Sequence, residues 1–146
     1  MYGKILVPLD GSNTAEIALP HVESLASQYD ASLILLSVIS PLSISGRNTA
    51  AMTFNQKQID DQHHQTERYL KGVQGQFEEK NIATDIEVVM GPTLQAIVQT
   101  ADAKSVDLVV IARHGHTGLK RVFFGSTASG VLNRFEQPLL VIRSPQ

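Results

Sequence analysis

Apolar residues form short, nearly continuous runs at five places along the chain, and these runs predict five β-strands. The runs cover residues 5–9, 33–39, 86–89, 108–112 and 139–142. A strand with apolar residues on both sides is typical of a parallel sheet that is covered by helices on both faces. The runs therefore predict a buried sheet rather than an open one.

Between the runs, apolar residues recur every three or four positions, which predicts amphipathic helices. The first helix is predicted over residues 15–29, and because its periodicity continues past Pro20 we interpret that proline as a kink. Ser12 or Asn13 could cap its start, and Asn13 with Glu16 has the spacing of a capping box.

Three more helices are predicted further along the chain. Residues 55–80 have a sparse apolar stripe typical of a surface helix, although Gly72 and Gly75 weaken that interpretation. The next helix starts at or near Pro92, and the last starts near Gly125. Residues 40–54 have no clear period and are predicted to form a long loop.

The resulting order, β-α-β-α-β-α-β-α-β, contains no linker and no internal repeat, so we expect a single domain over residues 1–146. This alternation predicts an α/β fold, a doubly wound parallel sheet with helices on both faces. Ligands of such sheets bind at the carboxyl ends of the strands, where the strand order reverses. If the first and fourth strands are neighbours, that point lies between Leu9–Asp10 and Ala112–Gly115.

Composition excludes several classes of function. The chain has no cysteine, which rules out disulfides, thiolate metal sites and a cysteine nucleophile. Its aromatic content of 5% makes a stacking platform for single-stranded nucleic acid a poor fit. The apolar runs are too short to span a membrane, and the segment Met1–Lys4 has no signal-peptide layout, so we expect a cytoplasmic protein.

Charge is unevenly distributed along the chain. Residues 1–112 have a net charge of −6, and residues 113–146 have a net charge of +4. A positive C-terminal quarter on an acidic chain indicates a local anion site rather than a nucleic-acid surface, although solvated helix faces would give the same count.

The glycine-bearing loop after the fourth strand is the candidate anion site. Gly115 would let the backbone approach a ligand, and Gly125-Ser126-Thr127 precedes the last helix, whose free N–H groups and dipole attract phosphate. A glycine-rich turn with an ordinary serine cap would have the same spacing, and both interpretations stay open at this point. The P-loop and dinucleotide-binding motifs are absent from the sequence.

No residues have the arrangement of a catalytic acid, base or nucleophile, so we assign no catalytic residue and expect at most slow turnover of a ligand. His114 and His116 could bind a metal, but two imidazoles without a third ligand make a weak site, and no metal ligand is assigned. Mg²⁺ would more readily arrive with the phosphates of a nucleotide.

At its start, glycine loop and end, the sequence resembles the universal stress protein (UspA-like) family, in particular its ATP-binding branch. That branch has G-x-x-G, nine residues, then G-[ST]; here 112–115 reads Ala-Arg-His-Gly, and Gly125-Ser126 follows after nine residues. Residues 4–12 and 138–142 resemble the first and last strands of the family.

The resemblance implies a five-stranded parallel sheet of order 3-2-1-4-5, of the adenine nucleotide alpha hydrolase-like type. It also implies a nucleotide across the ends of the first and fourth strands, bound with or without Mg²⁺. Asp10 and the backbone of Pro8 and Leu9 are expected at the adenine and ribose, and Val38 at the adenine. Further nucleotide-binding residues are expected at Ala112, Arg113, His114, Gly115 and His116, where Gly115 lets the backbone approach the phosphates. Gly125, Ser126, Thr127 and Ala128 are expected to form the phosphate cradle at the start of the last helix.

Ala112 departs from the family pattern, since it replaces the first glycine of the motif. This change leaves open AMP or ADP instead of ATP. The resemblance implies a sensor or signalling module of the stress response that acts through an unknown protein partner. A nucleotide-free dimeric interaction protein and a slow ATPase are the alternatives. The apolar fifth strand lacks the charges that protect a sheet edge, so we expect a homodimer joined through it.

Overall fold

The computed structural model describes residues 1–13, 15–40, 56–112 and 133–143. The strands are β1 (Lys4–Pro8), β2 (Ser32–Ile39), β3 (Thr84–Met90), β4 (Leu108–Ala112) and β5 (Leu139–Ile142). The helices are α1 (Ala18–Tyr29), preceded by a 3-10 turn over Ala15–Ile17, α2 (Gln56–Glu78) and α3 (Thr93–Ala103). All five strands were predicted. The loop predicted over 40–54 lies outside the described residues except for Ser40, and so does the helix predicted from near Gly125 as far as residue 132. Phe135, which the prediction placed in that helix, is not helical but is buried as expected.

The strands form one sheet in the order β3-β2-β1-β4-β5. Every neighbouring pair is parallel, with Ile5 of β1 opposite Leu33 of β2 on one side and Leu108 of β4 on the other. This confirms the predicted doubly wound order. Because the chain winds outward from β1 to β3 on one side and from β4 to β5 on the other, the direction of winding reverses between β1 and β4. Ligands of such sheets bind at the carboxyl ends of the strands at this point.

Side chains that alternate along each strand divide the core into two clusters, one on each face of the sheet. Ile5, Val7 and Leu9 pack with α1 and α2, whereas Leu6 packs with α3 and Phe135 on the other face. These residues are at most 9% exposed. The continuous apolar runs of the sequence therefore reflect strands buried on both faces.

The start of α1 differs in detail from its prediction. Ser12 is the cap, because its Oγ accepts the N–H of Ala15 at 3.0 Å and its carbonyl accepts the N–H of Glu16 at 3.3 Å. Asn13 does not have that role. Pro20 is the third residue of α1, in the first turn, where its missing N–H has no acceptor inside the α-helix, so the proline does not end the helix. A 3-10 turn precedes α1, and the kink at Pro20 stays a prediction.

The three helices end in the same way. After each helix one residue adopts the left-handed conformation, with φ of 53° at Asp30, 63° at Asn81 and 52° at Ser105. The next residue is apolar and buried, and its N–H donates to the carbonyl five residues earlier at 3.0–3.1 Å. This Schellman arrangement satisfies a free helix carbonyl and turns the chain into the following strand.

Asp107 holds the amino end of β1 by hydrogen bonds. Its Oδ2 accepts the N–H groups of Gly3 and Lys4, both at 3.0 Å, and Lys4 Nζ donates to the carbonyl of Lys104 at 3.0 Å. These contacts join the start of β1 to the turn before β4. They lie at the edge of the sheet opposite to the strand ends where a ligand is expected.

Candidate functional site

A cavity of about 360 Å³ lies at the carboxyl ends of β1 and β2. Its lining comes from residues 8–11, residues 36–39, four side chains of α2 (Gln62, Gln65, Thr66 and Tyr69) and two of α3 (Thr93 and Ile97). That volume falls in the range of small-molecule sites, about 300–1,000 Å³. The cavity lies on the β2 side of β1, and its described lining contains no residue of β4, so it adjoins the predicted point between β1 and β4 without spanning it.

The turn after β1 forms one wall of the cavity and is held by Asp10. Asp10 Oδ1 accepts the N–H of Ser12 at 2.9 Å and its hydroxyl at 2.6 Å. Gly11 has a φ of 82°, a left-handed value that a side chain would strain. The sequence Asp-Gly-Ser thus folds into a tight turn that directs the chain from the sheet into α1.

The floor of the cavity is fixed by hydrogen bonds between β1 and β2. The N–H of Leu9 donates to the carbonyl of Leu36 at 2.7 Å, and the hydroxyl of Ser37 donates to the carbonyl of Leu9 at 2.7 Å. Ser37 is 5% exposed and Leu9 is 2% exposed, so this bond is made away from water. It satisfies the carbonyl that immediately precedes Asp10.

Tyr69 of α2 is tied to the other side of the cavity. Its hydroxyl donates to Glu16 Oε2 at 2.7 Å, which joins α2 to the turn before α1. Burial raises the pKa of Tyr69 because the phenolate loses its hydration, and the carboxylates of Glu16 and Asp10 raise it further. The phenol therefore stays neutral, and its ring is held in place as a cavity wall.

The structure brings together part of the predicted site. Pro8, Leu9, Asp10 and Val38 all line the cavity. Ala112 does not line it; this residue is 2% exposed at the end of β4, opposite Ile142 of β5. The remaining predicted residues, Arg113, His114, Gly115, His116, Gly125, Ser126, Thr127 and Ala128, lie outside the described residues.

The lining residues of α2 and α3 were missed by the sequence analysis. Gln62, Gln65, Thr66 and Tyr69 are spaced by three or four positions, so they share one face of α2. A search for apolar periodicity passes over this stripe because three of its four members are polar. Its helical spacing is the signal that could have identified it.

Charge in the cavity comes from a single carboxylate, that of Asp10, as far as the described lining residues are concerned. Within residues 1–13, 15–40, 56–112 and 133–143, no three histidine or acidic side chains are grouped closely enough to hold a metal ion. In the same segments, no helix combines the length and apolar character that crossing a membrane requires.

Comparisons with known proteins agree on one family. The family model described as Universal stress protein family matches residues 1–143. Universal stress protein MJ0577 of Methanocaldococcus jannaschii is 28% identical over 98% of this chain and 96% of its own length. Universal stress protein Sll1388 of Synechocystis is 30% identical over 97% of this chain and 98% of its own length.

Solved structures share the fold. The structure of MJ0577 superposes with a TM-score of 0.82 at 29% identity, covering 100% of this chain and 99% of the other. A universal stress protein in complex with cAMP has a TM-score of 0.65 at 20% identity, covering 97% and 96% of the two chains. One from Archaeoglobus fulgidus in complex with dAMP has a TM-score of 0.64 at 17% identity, covering 97% and 98%.

Proposed function

The chain belongs to the universal stress protein family, and we propose that it binds an adenine nucleotide in the cavity at the ends of β1 and β2. One observation carries the proposal. Pro8, Leu9, Asp10 and Val38, which the family resemblance assigns to the adenosine, all line this one cavity. They come from two strands and the turn after β1, so their convergence depends on the fold and not on sequence proximity.

Nucleotide complexes of related folds support the same ligand class. The universal stress proteins solved with cAMP and with dAMP each carry an adenine and a phosphate. For this chain we propose ATP, or AMP or ADP, with the phosphates directed toward residues 113–116 and 125–128. Mg²⁺, if present, would be held by the phosphate oxygens of the nucleotide.

We further propose that nucleotide binding serves a sensor or signalling role in the stress response, with a protein partner that reads the bound state. Among the described lining residues the cavity offers one carboxylate, that of Asp10, which already uses Oδ1 to hold its turn. A carboxylate engaged in this way is a poor general base, so binding without rapid turnover is the function expected of this site.

Identification of the ligand tests the proposal directly. Freshly purified protein is denatured, the released small molecules are identified by mass spectrometry, and ATP, ADP and AMP are then titrated by calorimetry. We expect an adenine nucleotide in the released fraction and measurable heats with at least one of the three. The absence of both would refute nucleotide binding and leave the nucleotide-free interaction protein. Turnover of ATP with Mg²⁺ at an ordinary enzyme rate, about 1 s⁻¹ or more, would contradict the sensor role.

A blocking variant locates the binding site. Val38→Phe places a ring in the half-buried wall of the cavity and should abolish the heats. Met90→Phe is the control, because Met90 also ends a strand at this edge of the sheet but is 47% exposed and does not line the cavity. Unchanged affinity in Val38→Phe would place the nucleotide elsewhere.

We also propose a homodimer joined through β5. This strand is the edge of the sheet, its four residues are uncharged, and Leu140 is 36% exposed. The opposite edge, β3, is protected by Asp85 and Glu87. Sedimentation should give a dimer at micromolar concentration, Leu140→Lys should give a monomer, and Met90→Lys on β3 should remain dimeric. A monomeric parent protein would contradict the proposal.

A further inference from the structure

The face of α2 that packs on the sheet changes its chemistry halfway along the helix. In the C-terminal half, Leu70, Val73 and Phe77 are at most 4% exposed and belong to the core. Continued toward the N-terminus in steps of three and four, the same face carries Tyr69, Thr66, Gln65 and Gln62. These four are the residues of α2 that line the cavity.

The C-terminal half of this face is apolar because it packs on the core, whereas Gln62 and Gln65 are exposed and Thr66 is half-buried. Here the face turns polar where it passes the ends of the strands and borders the cavity. Within the described residues, the side chains of Gln62, Gln65 and Thr66 make no hydrogen bond. Their donors and acceptors are therefore available to a molecule in the cavity.

Tyr69 adds a fixed apolar surface to this polar face. Its hydroxyl is already bonded to Glu16, so the part of the side chain that remains for a ligand is the ring. A ring held at its distal end loses little freedom when a planar group stacks on it. The wall thus combines one aromatic surface with amide and hydroxyl groups.

The charges near this wall favour an uncharged part of a ligand. Asp10 lines the cavity, and Glu16 lies directly behind Tyr69. Lysine and arginine are missing from the described lining. A phosphate placed against α2 would face carboxylates without a compensating cation, so the phosphates must point away from it.

We propose that the stripe Gln62, Gln65, Thr66 and Tyr69 is the subsite for the nucleoside part of the nucleotide, a role that rests on the proposed function. The side-chain amide of glutamine offers a donor beside an acceptor, which matches the N6 and N7 edge of adenine. The hydroxyl of Thr66 can bond a ribose hydroxyl or a ring nitrogen. The stripe selects the ligand by its base and sugar, and the phosphates add affinity elsewhere.

The test compares ligands with different numbers of phosphates. Gln62→Ala/Gln65→Ala removes both amides from exposed positions of a helix, where alanine preserves the fold. Adenosine, AMP and ATP are titrated into this variant and into Thr66→Val. Gln76→Ala is the matched control, since Gln76 is an exposed glutamine of the same helix, about 16 Å from Gln65 along its axis.

We expect the double variant to lose about tenfold in affinity for each ligand, by the same factor for adenosine, AMP and ATP. Thr66→Val should lose less, about threefold, again independently of phosphate number. Wild-type affinity in both variants would overturn the nucleoside subsite while leaving nucleotide binding intact. A loss that grows from adenosine to ATP would also overturn it, because the phosphates would then contact α2. Failure of the parent protein to bind any of the three would overturn the proposed function itself.

Discussion

The hydrogen bond from Ser37 to Leu9 gives the sharpest prediction about stability. Ser37→Ala removes one hydroxyl and leaves the carbonyl of Leu9 without this donor, at a place where both residues are at most 5% exposed. Leaving one partner of a buried pair unsatisfied costs about 1–3 kcal/mol. Because only one oxygen atom is removed, the loss of packing adds little. The midpoint of thermal unfolding should fall by about 2–12 °C, given about 2–4 °C per kcal/mol for a chain near this size.

Urea denaturation measures this loss. The free energy of unfolding should fall while its dependence on urea concentration stays unchanged, because the exposed surface of the unfolded chain is the same. Ser32→Ala is the matched control: it removes a hydroxyl from the same strand, whose bond to the carbonyl of Gly3 is 3.4 Å long and exposed. We expect the control to change stability by less than about 0.5 kcal/mol. If the two variants are equally stable, the Ser37 bond does not hold the floor of the cavity.

Three further predictions concern the backbone and a titrating group. Gly11→Ala should lower the free energy of unfolding by about 1 kcal/mol because the φ of 82° strains a side chain, although no atom lies within 4 Å of the added carbon. Gly72→Ala is equally unobstructed but lies inside α2, so it should raise the free energy of unfolding by a similar amount. If urea denaturation shows both variants changed in the same direction, the strain is not at Gly11. Ser105→Gly should stabilise by about 0.5–1 kcal/mol by relieving the left-handed helix cap, and an unchanged unfolding midpoint would count against it. Burial raises the pKa of Tyr69, so the folded state keeps the phenolic proton up to a higher pH than the unfolded state does. The stabilisation that results is complete below pH about 10 and is lost as the pH rises above that value. Ultraviolet titration should show that Tyr69→Phe removes a tyrosine ionisation above pH 10 and flattens the fall in stability; an unchanged titration curve at high pH would contradict this.

Most of the fold could be predicted because its strands are buried on both faces. Continuous apolar runs such as 108–112 occur in few other settings, and alternation with helices restricts the topology to few arrangements. The ends of elements were less predictable. Ser12 and Asn13 both have capping side chains, and only the path of the turn held by Asp10 decides that Ser12 bonds to Ala15.

The residues of the candidate site that lie at strand ends could be predicted from the sequence. The residues that a helix contributes could not, because their place depends on how the helix is oriented. Asp10 and Val38 end or follow strands, so a parallel sheet brings them to the same edge. The contribution of α2 depends on how far the helix extends past the sheet, which no local pattern specifies. Ala112 is a further case: its side chain is buried at the end of β4, and the ligand contact that its place in the motif suggests stays a prediction.

The hydrogen bonds from Gly3 and Lys4 to Asp107 bear on where this protein is best attached to a surface. Met1 is 92% exposed and leaves the molecule beside these bonds, at the far edge of the sheet from the cavity. A tether at residue 1 would therefore pull on backbone bonded to the turn before β4 and leave the mouth of the cavity facing outward. Immobilisation through residue 1 would therefore keep the cavity accessible to small molecules in solution.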